Sequence, residues 1–259
     1  MSPIPPLLAT TPAPHVARIA LNRPQAANAL NTAMALEIID FFKNLPANVR
    51  VVILAAEGKH FCAGADLKER NGLSEAAWQQ QHALFRAARQ AIAGCPVPVI
   101  AQVQGAAFGG GLELALACDF IYAASDTRFG LSEASLGIMP GMGGVLALPR
   151  ALGAARAKEL LYTAGPFSAE EAQQVGLLNR LCRPETLAEE TLATARKIAA
   201  NAPLAVAAIK KTIARSQALS PEEASACELE QYNALLSSDD RHEGIRAWNE
   251  KRAAVFTGK

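Results

Sequence analysis

Residues Val97–Cys118 read VPVIAQVQGAAFGGGLELALAC. Six of the first seven, all but Gln102, are apolar and the stretch is rich in β-branched side chains, as expected of a strand covered on both faces. Gly105 and the run Gly109–Gly111 then bare the backbone, and the apolar stretch Leu112–Cys118 is expected to be helical. Strand, bare turn and helix in succession form the repeating unit of an α/β sheet. The pattern extends outward on both sides. His15–Leu21 (HVARIAL), Val49–Ala56 (VRVVILAA) and Phe120–Ala124 (FIYAA) are strand-like. Asn31 is placed to cap a helix over Thr32–Leu45, and Ser74 and Gly94 mark the start and stop of another. From about Pro184 the strands cease: Glu185–Asn201, Pro203–Ser216, Pro221–Leu236 and Asp239–Phe256 read as helices. The expectation is an α/β body with a helical tail, preceded by a loosely held, Pro-rich arm over residues 1–14.

Composition narrows the functional classes. The chain has 259 residues, 51% apolar and 19% charged, which suits a large packed core and excludes disorder. Lys and Arg number 25 and Asp and Glu 24, so a net charge of +1 gives no global basic signal for nucleic acid or an anionic membrane. The 5 cysteines form no C-x-x-C pair and are odd in number, which points to a reducing compartment rather than a disulfide framework. The 4 histidines form no H-E-x-x-H and no cluster with cysteine, so no metal is expected. The first residues lack the basic start and long apolar core of a signal peptide. Gly94–Leu112, the longest uncharged stretch, is broken by Pro, Gln and Gly and does not read as a membrane span. These features together describe a cytoplasmic protein with no nucleic-acid or membrane partner.

Three Gly-dense segments are the places to look for chemistry: Gly58–Lys68 (GKHFCAGADLK), Gly105–Glu113 (GAAFGGGLE) and Gly130–Gly144 (GLSEASLGIMPGMGG). Each follows or closes a strand-like run, where α/β sheets build ligand sites. Spelling excludes the commonest alternatives. No Gly-Lys-Ser/Thr ending makes a phosphate loop, Leu114 stands where a dinucleotide fingerprint needs glycine, and Ala134 where a nucleophile elbow needs one. Gly109–Gly111 leave unpaired N–H groups at a helix start, a setting that suits a developing oxyanion. Glu113 and Glu133 are carboxylates in apolar neighbourhoods beside bare turns, the ingredients of paired acid–base work; each is also readable as a helix-start carboxylate. Asp66 reads as an N-cap, and Lys59 and Lys68 as surface cations.

In combination these residues resemble the crotonase superfamily, the enoyl-CoA hydratase/isomerase family. The likeness runs from about residue 15 to the end. It is carried by Asn22-Arg23-Pro24 with Asn28-Ala29-Leu30, by Phe61–Glu69 (FCAGADLKE), by Gly105 with Gly109–Ala115 (GGGLELA) and Cys118-Asp119, by Pro140 with Gly143-Gly144, and by Glu250-Lys251-Arg252. The resemblance implies a ββα spiral core over residues 15–190 and a C-terminal helical region, 191–259, that supports homotrimers, often paired into homohexamers. It implies an acyl-CoA thioester as substrate and no cofactor beyond the coenzyme A that the substrate carries. The thioester oxygen would be held by the backbone N–H groups of Ala65 and Gly110, and Ala65, Asp66, Leu67 and Lys68 would line the coenzyme A. The two glutamates of the family's hydratases fall on Glu113 and Glu133, at the expected spacing. Hydration of a trans-2-enoyl-CoA is therefore the leading reading. The alternatives are an enoyl-CoA isomerase, which uses one glutamate, and a hydratase of the methylglutaconyl-CoA type, to whose motifs Phe61–Arg70 and Gly109–Asp119 are similar, with a branched or acidic acyl group. One departure stands out. Gly143-Gly144 leads into Val145-Leu146-Ala147-Leu148, where hydratases usually carry Thr-Gln-Arg-Leu, so the resemblance does not fix the acyl pocket.

Overall fold

The computed structural model describes residues 5–259. Leu7–Ala13 (β1) turns at His15, whose φ is +62°, and pairs antiparallel with Val16–Leu21 (β2). The expected loose arm is thus corrected over half of its length: residues 7–13 are an edge strand with Leu7 and Ala13 buried. The sequence conceals it because Pro12 and the polar residues between those two anchors sit where an edge strand tolerates them. Residues 1–4 of that arm lie outside the described residues.

Beyond Thr32–Lys43 (α1), Val51–Ala56 (β3), Leu67–Arg70 (α2) and Glu75–Ala93 (α3), the chain winds as a spiral. Val99–Val103 (β4) and Ala106–Phe108 (β5) lead into Gly110–Ala115 (α4); Phe120–Ala124 (β6) and Arg128–Gly130 (β7) lead into a 3₁₀ turn over Glu133–Leu136. Gly144–Leu152 (α5), Ala154–Thr163 (α6), Phe167–Ser168 (β8), Ala169–Gln174 (α7) and Arg180–Cys182 (β9) complete the body. The first strand of each turn joins a large sheet of order β1-β2-β3-β4-β6-β9, parallel from β2 onward; the second joins a small sheet, β5-β7-β8. Every residue of β3 and β4 is buried, which is why β3 is an unbroken apolar run and β4 departs from one only at Gln102. Helices α1 and α3 cover one face through Met34, Ile38, Phe85 and Ile92. Leu187–Ala199 (α8) covers the other through Ala195 and Ala199.

The helical tail continues with Pro203–Ser216 (α9), Pro221–Leu235 (α10) and Asp239–Asn249 (α11). It is tied to the body by Lys210 Nζ, which donates to Asp119 Oδ2 at 2.7 Å, and by the Arg50 guanidinium, which donates to the carbonyls of Ala199 and Phe256. The last helix stops at Asn249 rather than Phe256. Lys251 turns to φ +53°, and the chain folds back so that Thr257 and Gly258 N–H donate to the Asp240 carboxylate. Among the described residues no helix is long and apolar enough to cross a membrane. The helix expected over Leu112–Cys118 starts earlier and ends earlier, at Gly110–Ala115, because two of the three glycines are themselves its first turn.

That turn is packed without slack. A Cβ on Gly111 would overlap the Cys62 carbonyl oxygen and lie 2.7 Å from Cys62 Cβ, and both residues are buried. Gly111→Ala is therefore expected to destabilise the fold by about 1–3 kcal/mol or more through overpacking. Gly165→Ala, where an added Cβ meets nothing within 4 Å, is the control, expected to stay within about 0.5 kcal/mol. Urea denaturation of both variants checks this; equal midpoints would show that the α4–Cys62 contact is not tight.

Candidate active site

The two fully bare turns meet because their strands do. Cys62 bridges Ala107 in parallel, and Gly109 N–H donates to Gly130 O at 2.8 Å. Three chain segments, 61–66, 108–113 and 130–133, are thereby stacked at one end of the small sheet. A second parallel bridge, Leu30 to Ala65, uses Leu30 N–H to Gly64 O and Asp66 N–H to Leu30 O, both 2.8 Å. In parallel pairing the residue between those two points its own N–H the other way. Ala65 N–H accordingly has no partner among the described residues, and it faces the bare turn of α4. Gly110 is the first residue of that helix, so its N–H has no intrahelical acceptor either. The two donors are neighbours: a Cβ on Gly110 would lie 3.8 Å from Ala65 N.

The turn 22–30 holds this loop in place. Asn28 is fully buried in the left-handed region, with φ +54°; its side chain accepts from Arg23 N–H and donates to the carbonyls of Glu57 and His60. Arg23 donates to Asp66 Oδ2 at 2.9 Å. Asp66 also caps α2, accepting from Lys68 and Glu69 N–H, and the Arg23 guanidinium and these donors hold its carboxyl below the usual range although burial opposes them. Asp66 is thus spent on the loop, and its side chain does not line the cleft. Ala65 and Leu67 do line it; Lys68 is exposed beside it.

Glu113 is 2% exposed. It projects from α4 toward the 140–144 loop, where Oε1 accepts from Met142 N–H at 2.8 Å and Gly144 N–H at 2.7 Å. Burial pushes its pKa up to about 7; the Glu133 charge adds to the rise, while the two backbone donors and Arg89 oppose it. Glu133 opens the 3₁₀ turn and lays its carboxylate on Gly109, where a Cβ would be 2.9 Å from Oε1. Burial raises its pKa too, and its Oε2 is buried without a partner among the described residues. Such an oxygen is less costly in a neutral carboxyl than in a carboxylate. Two acids with raised pKa values beside two adjacent free N–H donors can take and give a proton around an oxyanion.

Ala65, Gly110, Glu113 and Glu133 all line one cleft of about 930 Å³. Sequence reasoning missed its far wall. Trp78, His82, Phe85, Arg86 and Arg89 of α3 face it at helical spacing, and Arg70 stacks over Trp78 and Phe85 with its guanidinium carbon 4.3 and 5.0 Å from the two rings. The signal was the positive charge on an otherwise apolar stripe of α3. The departure at Val145-Leu146 also falls on the cleft wall.

The Glu113 environment has a sign that can be measured. The group ionises near 4.5 when unfolded and near 7 when folded, so between these values the folded state holds a proton that the unfolded state has lost. Stability contributed by this site is present below the lower value, falls as the pH climbs through the window and is fully lost above the upper one, a difference of roughly 3 kcal/mol. Glu113→Gln is expected to be more stable than the parent at pH 8.5 and to lose that advantage at pH 4. Denaturation curves at the two pH values decide it, and an advantage independent of pH would contradict the buried-carboxylate account.

The family model for enoyl-CoA hydratase/isomerase matches residues 13–259. The chain is 41% identical over 255 residues to YngF of Bacillus subtilis, named for the same two activities, covering 97% of this chain and 98% of that one. It is 39% identical to a crotonyl-CoA hydratase of Syntrophomonas wolfei over 242 residues, 92% of this chain and 93% of that one. The crystal structure of an enoyl-CoA hydratase from Bacillus anthracis superposes with a TM-score of 0.96 at 40% identity, over 98% of this chain and all of the other. With a spiral ββα core whose two bare turns meet beside one buried and one half-buried glutamate, this chain is an enzyme of the enoyl-CoA hydratase/isomerase family.

Proposed function

We propose that the protein adds water across the double bond of a trans-2-enoyl-CoA. The observation that carries this reading is the convergence of two glutamates, not one, on the cleft that the Ala65 and Gly110 N–H groups face. The thioester oxygen accepts from both N–H groups. Glu113, whose Oε1 is already fixed by two backbone donors, is the ionised partner and takes a proton from water as the water oxygen bonds to C3. The C2–C3 π electrons move toward the carbonyl, giving an enolate whose oxygen the two N–H groups stabilise. Glu133, the acid with the unpartnered oxygen, gives its proton to C2. The two carboxyls titrate as a pair, so the ionised and neutral roles belong to the pair as a unit. The reaction needs no cofactor because the thioester carbonyl itself acidifies C2. Ala65, Asp66, Leu67 and Lys68 form the stretch along which coenzyme A lies, with Lys68 as its cation.

Glu113→Gln and Glu133→Gln are each expected to lower hydration of crotonyl-CoA by about 10²–10⁴-fold while acyl-CoA binding persists. The double variant should be little worse than the poorer single one, because the two act as a unit. Loss of the conjugated enoyl-thioester absorbance is the readout. Full activity of Glu113→Gln on a cis-3-enoyl-CoA, with Glu133→Gln inactive, would replace the reading by a one-glutamate isomerase.

Residues 191–259 serve trimerisation in this reading, beyond the acyl-CoA-binding core of residues 15–190. Ile209, Ile213, Tyr232 and Trp248 are large, apolar and exposed on the tail helices, Trp248 at 85%. Sedimentation equilibrium is expected to give a trimer or hexamer mass, and a stable, active monomer would sink this assignment.

A further inference from the structure

Glu113 is held by a loop that is itself held at few points. Among the described residues, loop 139–143 hydrogen-bonds to the rest of the chain at two places only, apart from the start of α5 that accepts on Gly143 O. One is Met142 N–H, which donates to Glu113 Oε1 at 2.8 Å. The other is Gly141 O, which lies 2.9 Å from His82 Nε2 on α3. These two groups belong to the same peptide unit. Gly141 C=O and Met142 N–H are the two ends of one planar trans amide and point in opposite directions. His82, that amide and Glu113 therefore form a single line of hydrogen bonds across the loop. A carbonyl oxygen only accepts, so Nε2 is the donor, and a neutral ring carries its proton there. Burial, with the Arg70 and Arg86 charges, lowers the His82 pKa and favours that neutral ring.

The loop leaves room for the ring. A Cβ on Gly141 would lie 2.5 Å from His82 Cε1 and 2.6 Å from Nε2, so a side chain there would push the imidazole off the carbonyl. A hydrogen bond at each end of an amide fixes the rotation of its plane, and a donor on the C=O polarises the N–H opposite. His82 does both for the N–H that meets Glu113. Gly144 N–H, the second donor to Oε1, opens the helix directly beyond and follows the same loop. Charges face the two ends of this line from several elements. Arg70 of α2 and Arg86 of α3 act on His82, and Glu133 of the 3₁₀ turn and Arg89 of α3 act on Glu113. We propose that His82 is a positioning residue for Glu113, holding through the Gly141–Met142 peptide the N–H that fixes the base. The proposal rests on the hydratase reading for what Glu113 does and adds the residue that holds it ready.

His82→Leu removes the donor, and His82→Gln puts an amide N–H near the place of Nε2. Glu113 is followed without substrate, from the pH dependence of the stability difference between each background and its Glu113→Gln form. Met142 N–H is one of the groups that favour the Glu113 anion, so a slack amide favours it less. The folded-state midpoint of Glu113, about 7 in the parent, is expected to rise in His82→Leu. The rise should be roughly half to one pH unit, part or all of one neutral hydrogen bond. The stability that the protonated group contributes is then lost at a higher pH than in the parent. Turnover of crotonyl-CoA should fall about 3- to 10-fold below the midpoint, where the ionised base is scarce, and little above it, with KM unchanged. His82→Gln should return both readouts to near the parent. Gly141→Ala displaces the ring but keeps the histidine; it should act as His82→Leu does, and it decides the matter if that variant fails to fold. An unmoved Glu113 midpoint in a folded His82→Leu or Gly141→Ala protein overturns the proposal. So does a fall in turnover that is equal at every pH, or a His82→Gln variant no better than His82→Leu; either outcome leaves the histidine a packing role alone. If no enoyl-CoA is hydrated, the hydratase reading falls, and the substrate-free titration still decides this one.

Discussion

The site depends on keeping two backbone N–H groups, those of Ala65 and Gly110, without a protein acceptor. A buried N–H left unpaired costs about 1–3 kcal/mol, so folding chains rarely leave one by accident. Here the cost is avoided by opening both to the cleft, and the surrounding structure serves to keep them there. The parallel bridge with Leu30 uses the N–H and carbonyl groups on either side of Ala65 and turns Ala65 itself away. The helix start at Gly110 does the same by a different rule. Asn28 and the Arg23–Asp66 pair then fix the loop, so that three residues that do not line the cleft determine where one donor points. Losing one such donor is worth ~10²–10³ in rate where it meets an oxyanion, far more than any surface ion pair contributes to stability.

The carboxylates are held by the same economy of side-chain volume. Gly109, at φ +48°, and Gly144 each yield space: a Cβ at either would come within about 3 Å of a glutamate oxygen, Glu133 Oε1 in one case and Glu113 Oε1 in the other. Gly144 meanwhile donates its N–H to that oxygen. Two backbone donors and a neighbouring arginine do not fully offset the loss of water around Glu113, and its pKa settles near neutrality. A base near the working pH is what proton transfer favours, and the stability lost on ionising it is the cost. In the proposed reaction, structural stability and acid–base function therefore pull on this one residue in opposite directions.

Much of this was legible in the chain. Apolar runs, broken only at Gln102, gave away β3 and β4 because both their faces are covered, and Asn31, Ser74 and Gly94 end their helices where short polar or bare residues must. The glutamates were visible as charges in apolar company. What stayed hidden has physical reasons. The strand β1 carries Pro12 and an exposed polar middle, permitted only because it is an edge. The three-residue strands β5 and β7 are too short to show a period, and they exist because they pair with each other and Cys62 bridges Ala107 on the other side of β5. The folding-back after Asn249 is set by Asp240 and Glu243, distant carboxylates that capture the last residues, which no local pattern encodes. Arg86 and Arg89 drew no reading at all, because nothing local to α3 marks which of its faces meets the cleft.

Arg89 acts on Glu113 through its charge alone, favouring the ionised form against burial and against Glu133. Any acyl group that fills the cleft displaces water, which raises the energy of that anion further. In the proposed hydration Glu113 is therefore a stronger base in the complex than in the free protein, because the ligand removes water while the arginine and the two backbone donors stay in place.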